Sequence, residues 1–247
     1  MEITQRQTDL LNQENYRWHN HNSYRVVPTQ SVIDIFENEG FQMKSISTAH
    51  PKNAENEGFQ HHLVMLDRGD SIIEGLTPNI IISNSYNGKK PLEVSFGMFR
   101  FACSNGLIVG EEFESVKLNH KRDIASVIND FLPMYERSVE VAQSKVDQMM
   151  TKKLNAPQQS QFAHSIYSLI GKTPATGSLK QLLTSQREED DENTIFNLYN
   201  RAQERIVKGD YTYDSNGKIR TGKAIKSVSH LESVNNGLYR LAVAEAL

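Results

Sequence analysis

The sequence predicts an α+β fold, in which an antiparallel β-sheet is covered by a long helix and followed by a helical C-terminal region. Three observations carry this prediction. Strand-like runs flank the Asn87-Gly88 pair between Ile80 and Val109, apolar residues recur at helical spacing from Ile124 to Met149, and helical patterns dominate the rest. Because Asn-Gly readily adopts the positive backbone angles of a two-residue type I′ turn, a β-hairpin is expected there.

The N-terminal part of the chain is expected to combine a polar arm with one helix. Residues 1–22 are polar and rich in Asn, Gln and His, which predicts a loosely held N-terminal arm. The first helix is expected to start at Pro28-Thr29, with Thr29 as its cap, and to end at Gly40.

Further strands are expected to pair with the central hairpin. Two candidates run from Phe41 to Ala49 and from Phe59 to Asp67. In the second arm of the hairpin, the alternation of apolar residues changes phase after Gly97. A β-bulge near Gly97 would explain this change of face.

The second half of the chain is predicted to be mainly helical. One long amphipathic helix is expected between Ile124 and Met149, bent at Pro133 because proline removes a backbone donor. The polar stretch 151–161 is interpreted as a linker. It would separate an α+β core domain, 23–150, from a helical C-terminal region, 162–247, that carries a basic loop.

Within that C-terminal region, helix signals and one turn signal are visible. Helices are expected from Gln158 to Ile170 and from Asn193 to Lys208. The closing helix is expected to begin at Ser229, since Glu232 three residues later completes a capping box. A second Asn-Gly pair at Asn216-Gly217 predicts a small hairpin or an exposed loop.

Composition and charge narrow the class of protein. The chain has 27 Lys and Arg against 30 Asp and Glu, a net charge of -3, so any site for a polyanion must be a local patch. Its single cysteine excludes an intrachain disulfide. The opening residues lack the pattern of a secretory signal, and no apolar run approaches the roughly 20 residues of a membrane span. We therefore expect a cytoplasmic protein without a membrane partner.

Motifs for catalysis, cofactors or metals are incomplete. Gly171-Lys172-Thr173 resembles the end of a phosphate-binding loop, but Ile166 stands where that motif requires glycine. His19-Asn20-His21 has no carboxylate or cysteine at ligand spacing, and His61-His62 would point to opposite faces of a strand and could not chelate together. We accordingly assign no catalytic residue, no cofactor and no metal.

Two alternatives to this assignment stay open. Cys103 follows aromatic residues in a β alternation, which favours a buried thiol over a nucleophile, although a nearby histidine could activate it. The acidic run Arg187 to Glu192 is typical of a solvated helix start, although carboxylates also bind hard cations. A non-enzymatic protein is the favoured interpretation.

Basic residues near the C-terminus give a more useful signal. Lys218, Arg220, Lys223 and Lys226 lie within nine residues, with Tyr211 and Tyr213 just upstream. Aromatic rings beside a flexible cationic loop suit single-stranded nucleic acid, because bases stack while cations neutralise phosphates. An ordinary solvated surface is the alternative.

Four segments resemble a known family: HNSYRVVPTQSVIDIFENEGF, IIISNSYNGKKPLEVSFGMFRFACSNGLIVG, FNLYNRAQERIVKG and IRTGKAIKSVSHLESVNNGLYRLA. The chain is similar to the uncharacterised phage-, plasmid- and prophage-encoded family that includes the YfjQ and YafZ proteins. The resemblance extends from about His21 to the C-terminus. Its most specific piece runs from Phe99 and Arg100 to Cys103, Ser104, Asn105 and Gly106.

The resemblance implies the biology of mobile elements and makes DNA the leading candidate partner. We expect a non-enzymatic DNA-binding accessory protein, for example in single-strand annealing or recombination, that works as a homo-oligomer. The alternative is a protein-binding antagonist of a host restriction or defence system. The residues expected to bind nucleic acid are Arg100, Asn105, Tyr211, Tyr213, Lys218, Arg220, Lys223 and Lys226.

Overall fold

The computed structural model describes residues 3–17, 26–51, 53–69, 76–88, 90–100, 107–108, 115–118, 124–186 and 191–247. The helices in this part of the chain are α1 (Gln5–Leu11), α2 (Thr29–Asn38), α3 (Ile124–Thr151), α4 (Ala156–Leu169), α5 (Ser178–Leu183), α6 (Ile195–Lys208) and α7 (Val228–Ala246), with a 3₁₀ turn at Ala54–Asn56. The strands are β1 (Gln42–Thr48), β2 (His62–Asp67), β3 (Leu76–Asn84), β4 (Leu92–Arg100), β5 (Leu107–Ile108), β6 (Ser115–Leu118), β7 (Thr173–Pro174), β8 (Thr212–Ser215) and β9 (Lys218–Thr221). The predicted α+β class is confirmed.

The chain divides into two compact units. Unit 1 comprises residues 1–99 and 111–139, and unit 2 comprises residues 100–110 and 140–247. The division falls inside α3 and not at 151–161, the stretch that the sequence indicated as a linker. That stretch is held by backbone hydrogen bonds, because Leu154 N–H donates to Asn193 O over 3.0 Å and Ile195 N–H donates to Lys152 O over 2.9 Å.

The sheet of unit 1 is built from antiparallel strands in the order β1-β2-β3-β4, with β6 also paired to β4. Gly97, where the change of phase predicted a bulge, has a packing role. A Cβ atom there would lie 2.4 Å from both Asn79 Oδ1 and Ile81 Cδ1. Glycine thus lets side chains of β3 lie directly against the backbone of β4.

The hairpin of β3 and β4 is present, but the type I′ turn expected at Asn87-Gly88 is wrong. Residues 85–91 connect the strands, and Asn216 is the only non-glycine residue with positive φ in the described part of the chain. Tyr86 is 2% exposed, so its ring is drawn into the core and widens the loop. Ser85 Oγ closes this loop with hydrogen bonds of 3.0 Å to Lys90 N and Lys90 O.

Aromatic side chains join the helices of unit 1 to the sheet. Phe131 and Tyr135 of α3 make edge contacts with Phe36 and Phe41, at ring separations of 6.1 and 5.2 Å. Tyr135 also lies 5.6 Å from Phe96 of β4. All five rings are buried, so the long helix covers the sheet as predicted.

Thr29, the predicted N-cap, is instead the first residue of α2. Pro28 takes the N-cap position, and no side chain caps the helix. The Thr29 side chain is buried, because its hydroxyl is turned to the interior and not to the backbone N–H groups of the first turn.

Thr29 is the centre of a buried hydrogen-bond network. Its Oγ1 lies 2.8 Å from His62 Nε2, 2.9 Å from Tyr86 Oη and 3.0 Å from Asn84 Nδ2. His62 Nδ1 lies 3.1 Å from the carbonyl oxygen of Gln60, which can only accept, so the neutral imidazole donates from Nδ1. Nε2 therefore accepts the hydroxyl proton of Thr29.

Unit 2 is organised around α6. Many side chains of this helix are polar, and they are nevertheless buried. Arg201 is 6% exposed and donates from Nη1 to Leu183 O over 2.9 Å and from Nη2 to Glu192 O over 2.8 Å. The Arg201 guanidinium thereby links the backbone at Leu183 to the backbone at Glu192. Tyr199 of α6 and Tyr239 of α7 make an edge contact at 6.4 Å.

The helix boundaries of unit 2 correct one prediction and confirm another. α7 begins at Val228, where the Ser227 side chain accepts from His230 N–H, so the cap is Ser227 and not Ser229. α6 ends at Lys208, as predicted, and Gly209 follows it in the left-handed conformation. Among the described helices, none combines the length and hydropathy that crossing a bilayer requires.

The first prediction concerns acid. Burial lowers the pKa of His62 from 6.5 to about 4, against the raising effect of its bond to Gln60. Since the unfolded chain binds the proton from pH 6.5 downward and the folded chain does not, the free energy of unfolding should fall as the pH drops from 6.5 toward 4. His62 alone should account for about 2 kcal/mol between pH 7 and pH 5. Urea unfolding at both pH values measures this.

The matched control is H62Q, whose amide cannot titrate. This variant should be less stable at pH 7 but should lose less free energy of unfolding on acidification. An equal loss in both proteins would contradict the assignment of His62 as a buried neutral group.

The second prediction concerns the stretch 151–161. Its lysines, Lys152 and Lys153, are exposed, but their backbone is paired with residues 193–195. Trypsin should therefore cut slowly after either residue in the folded protein and rapidly in urea. Mass spectrometry of timed digests locates the cuts. Early native cleavage after Lys152 or Lys153 would instead indicate a flexible linker.

Candidate nucleic-acid interface

A small antiparallel sheet in unit 2 carries two of the basic residues predicted to bind nucleic acid, Lys218 and Arg220. Its strands lie in the order β7-β8-β9. β8 and β9 are joined by Asn216 and Gly217, whose φ angles of 55° and 76° are those of a type I′ turn, with Ser215 paired to Lys218. The hairpin predicted at this second Asn-Gly pair is confirmed.

The strand register brings an aromatic ring and cations to one face. Tyr213 is paired with Arg220, so their side chains lie side by side on the same face of the sheet. Lys218 is two residues from Arg220 and shares that face. Both cations are exposed, and Tyr213 is half-buried.

Lys172 joins this group from the β7 edge of the sheet. Its Nζ lies 4.5 Å from the centroid of the Tyr213 ring. Lys172 directly precedes β7, whose Pro174 is paired with Tyr213. We call the side chains of Lys172, Tyr213, Lys218 and Arg220 the cationic face.

The two tyrosines named by the sequence have different environments. Tyr211 is 7% exposed, and its ring lies 6.2 Å from that of Tyr167. Burial raises the pKa of the Tyr211 hydroxyl, with smaller contributions from Tyr213 and Tyr167. Tyr211 is thus part of the interior of unit 2, and Tyr213 is the ring that remains for stacking.

Lys223 and Lys226 lie on an exposed segment that follows β9. This segment is held against the end of α6, because Ile225 N–H donates to Val207 O over 3.0 Å. A Cβ atom on Gly209 would lie 2.4 Å from the backbone carbon of Lys223. The two lysines are exposed on a positioned backbone, although they do not belong to the β7-β8-β9 sheet.

The cations of this region are not neutralised by the carboxylates that the structure describes. Within those residues, no ion pair involves Lys172, Lys218, Arg220, Lys223 or Lys226. The neighbouring Asp210 pairs with Arg205, and Asp214 accepts from Gly217 N–H. The positive charge therefore stays available to an external anion.

Two predicted binding residues cannot be placed. Asn105 lies outside the described residues, and Arg100 is described only as the last residue of β4. The Cys103 thiol and residues 187–190 of the acidic run also lie outside.

Other candidate chemistry has little support in the described part of the chain. No group of three or more His, Cys, Asp or Glu side chains there could hold a metal ion. His61 Nε2 lies 2.9 Å from Ser83 Oγ, whereas His62 bonds to Thr29, so the adjacent imidazoles have separate partners. Burial, and to a smaller extent Lys90, lowers the pKa of His61 to about 4.

Comparison with known proteins covers both units. The model of a family described as a domain of unknown function, DUF932, matches residues 19–234. The chain belongs to the DUF932 family. Its relatives include the UPF0380 protein YfjQ of Escherichia coli (strain K12), 28% identical over 225 residues that cover 89% of this chain and 81% of that protein.

A second relative matches the chain to a similar extent. The UPF0380 protein YafZ of Escherichia coli (strain K12) is 27% identical over 227 residues, covering 90% of this chain and 82% of that protein. No solved structure matches the chain. The resemblance to the family of YfjQ and YafZ is therefore confirmed over most of the sequence.

One member of the cationic face was missed by sequence reasoning in this DUF932 protein. Lys172 was considered only as part of an incomplete phosphate loop. No strand signal could have found it, because β7 has only two residues. Lys172 lies near Tyr213 because β7 pairs with β8, and β7 was not predicted.

The third prediction tests how the basic segment is held. Gly209 and Gly217 both have φ of 76°, but an added Cβ meets the Lys223 backbone at Gly209 and nothing within 4 Å at Gly217. G217A should cost about 1 kcal/mol of unfolding free energy through backbone strain. G209A should cost about 1–3 kcal/mol more, because the backbone of Lys223 must move. Urea unfolding of both variants measures the difference, and equal costs would contradict the close approach.

Proposed function

We propose that this DUF932 protein is a non-enzymatic DNA-binding accessory protein of a mobile element, acting in single-strand annealing or recombination. Its ligand would be single-stranded DNA, and it would act in the cytoplasm as a homo-oligomer. The observation that carries the proposal is the cationic face, where three cations surround one half-buried aromatic ring. Bases stack on such rings while cations neutralise the adjacent phosphates.

The physical support is that no described carboxylate pairs with this charge and that the strand register positions it. Neighbouring strands of a sheet lie about 4.8 Å apart, so Tyr213 and Arg220 are separated by one strand spacing. The rigid register keeps these groups in place before a ligand arrives, which lowers the entropic cost of binding. Lys223 and Lys226 add charge on the segment that follows β9.

The alternative proposal is a protein-binding antagonist of a host restriction or defence system. Its motivation is the mildly acidic net charge of -3 together with the run from Glu188 to Glu192, of which the structure describes Asp191 and Glu192. Glu192 pairs with Lys153 at 2.9 Å. The nucleic-acid proposal is preferred because the cationic face supports it, and the experiment below separates the two.

The fourth prediction tests nucleic-acid binding directly. Fluorescence anisotropy should detect binding of a labelled oligo-dT strand that weakens as salt increases. The logarithm of the binding constant should fall with the logarithm of the salt concentration with a slope of about -0.7 for each phosphate neutralised. The variant K218Q/R220Q should bind more weakly and should flatten that slope by about 1.4.

The matched control is K152Q, which removes an exposed lysine of unit 2 that lies outside the small sheet. It should bind as the unsubstituted protein does. Absence of salt-sensitive binding to the strand would overturn the proposed function and leave the protein-binding alternative as the one to pursue.

A further inference from the structure

Lys172 covers the Tyr213 ring in the free protein. The contact of 4.5 Å between its Nζ and the ring centroid is a cation–π interaction at an exposed position. Such exposed contacts are weak, because water competes for the ammonium group. Stacking of a nucleobase on an aromatic ring is the stronger interaction. A base can therefore replace Lys172 over the ring.

The register of the three strands determines where the displaced ammonium group would be. Pro174 of β7, Tyr213 of β8 and Arg220 of β9 are paired in one row across the sheet. Lys172 approaches Tyr213 from the β7 side and Arg220 lies on the β9 side. A nucleic-acid strand lying across the sheet would thus meet a cation, an aromatic ring and a second cation in succession.

We infer that Lys172 is a nucleic-acid-binding residue, and that the cationic face takes an unpaired base on Tyr213 with phosphates held by Lys172 and Arg220. This inference rests on the proposed function. It gives the physical reason why the ligand would be single-stranded, since the bases of a duplex are stacked on each other and cannot reach the ring. It also assigns a role to a residue that sequence motifs associated only with a phosphate loop.

The inference separates base stacking from simple charge attraction. An abasic strand of equal length carries the same phosphates but has no bases to stack. Charge attraction alone would bind the abasic strand and oligo-dT equally. Stacking on Tyr213 would favour oligo-dT by roughly 5- to 100-fold.

The fifth prediction uses three labelled probes: oligo-dT, an abasic strand of the same length and an oligo-dT·oligo-dA duplex. Binding constants at two salt concentrations should rank oligo-dT above both others. Y213A should remove the preference for oligo-dT over the abasic strand, whereas Y213F, which keeps the ring, should retain it. K172Q should weaken binding to oligo-dT and flatten its salt slope by about 0.7.

The controls assign each failure to one proposal. K152Q should behave as the unsubstituted protein with every probe. Binding of none of the probes would overturn both the proposed function and this inference. Salt-sensitive binding with equal affinity for oligo-dT and the abasic strand would overturn only the inference.

Three further results would count against the proposals, the first against the inference alone and the other two also against single-stranded DNA as the ligand. The first is a salt slope unchanged by K172Q, because Lys172 would then only cover the ring. The second is a tighter complex with the duplex than with oligo-dT. The third is tighter binding of an oligo-uridine strand of the same length, which would overturn the assignment to DNA.

Discussion

The two-residue turn at Asn216-Gly217 is the constraint on which the candidate site depends. Because side chains alternate along a strand, a slip of one residue in the pairing of β8 with β9 would move Arg220 and Lys218 to the face opposite Tyr213. The positive φ of Asn216 and Gly217 admits the turn that matches the right-handed twist of the strands. The chemistry of the face is therefore determined by backbone geometry at a position that carries no charge.

In unit 1, by contrast, tertiary packing overrides the local sequence preferences for a turn and for a helix cap. Asn87-Gly88 carries the same turn signal, yet the burial of Tyr86 widens its loop. Thr29 has the chemistry of a helix cap, yet its hydroxyl bonds to His62 and Tyr86 in the interior. In both cases a buried network outweighs a local preference, since an unpaired polar group in the core costs more than a turn or a cap contributes.

The sequence was sufficient for the fold class but not for the details of the site. Hydrophobic periodicity located α3 and the main strands, because one buried face is a strong constraint on a long element. It could not identify Lys172 as a neighbour of Tyr213, since β7 has two residues and leaves no period to detect. Nor could it separate Tyr211 from Tyr213, which share the same place in the alternation but differ in their tertiary contacts, since Tyr211 lies near Tyr167 and Tyr213 lies near Lys172.

Family resemblance and binding chemistry overlap in unit 2, because the resemblance segment that starts at Ile219 contains Arg220, Lys223 and Lys226. Among the residues that carry the resemblance, Gln203 is 2% exposed and bonds to Asn235 over 3.2 Å, so they support packing of α6 on α7. The family match covers residues 19–234 and carries no described function, so membership in the DUF932 family assigns no role to the cationic face. The cationic face must be argued from its own physics. A chain of net charge -3 gives a polyanion no long-range attraction, so binding would rely on contacts within a Debye length of about 10 Å. Under that condition the ring matters as much as the cations, because stacking is not screened by salt.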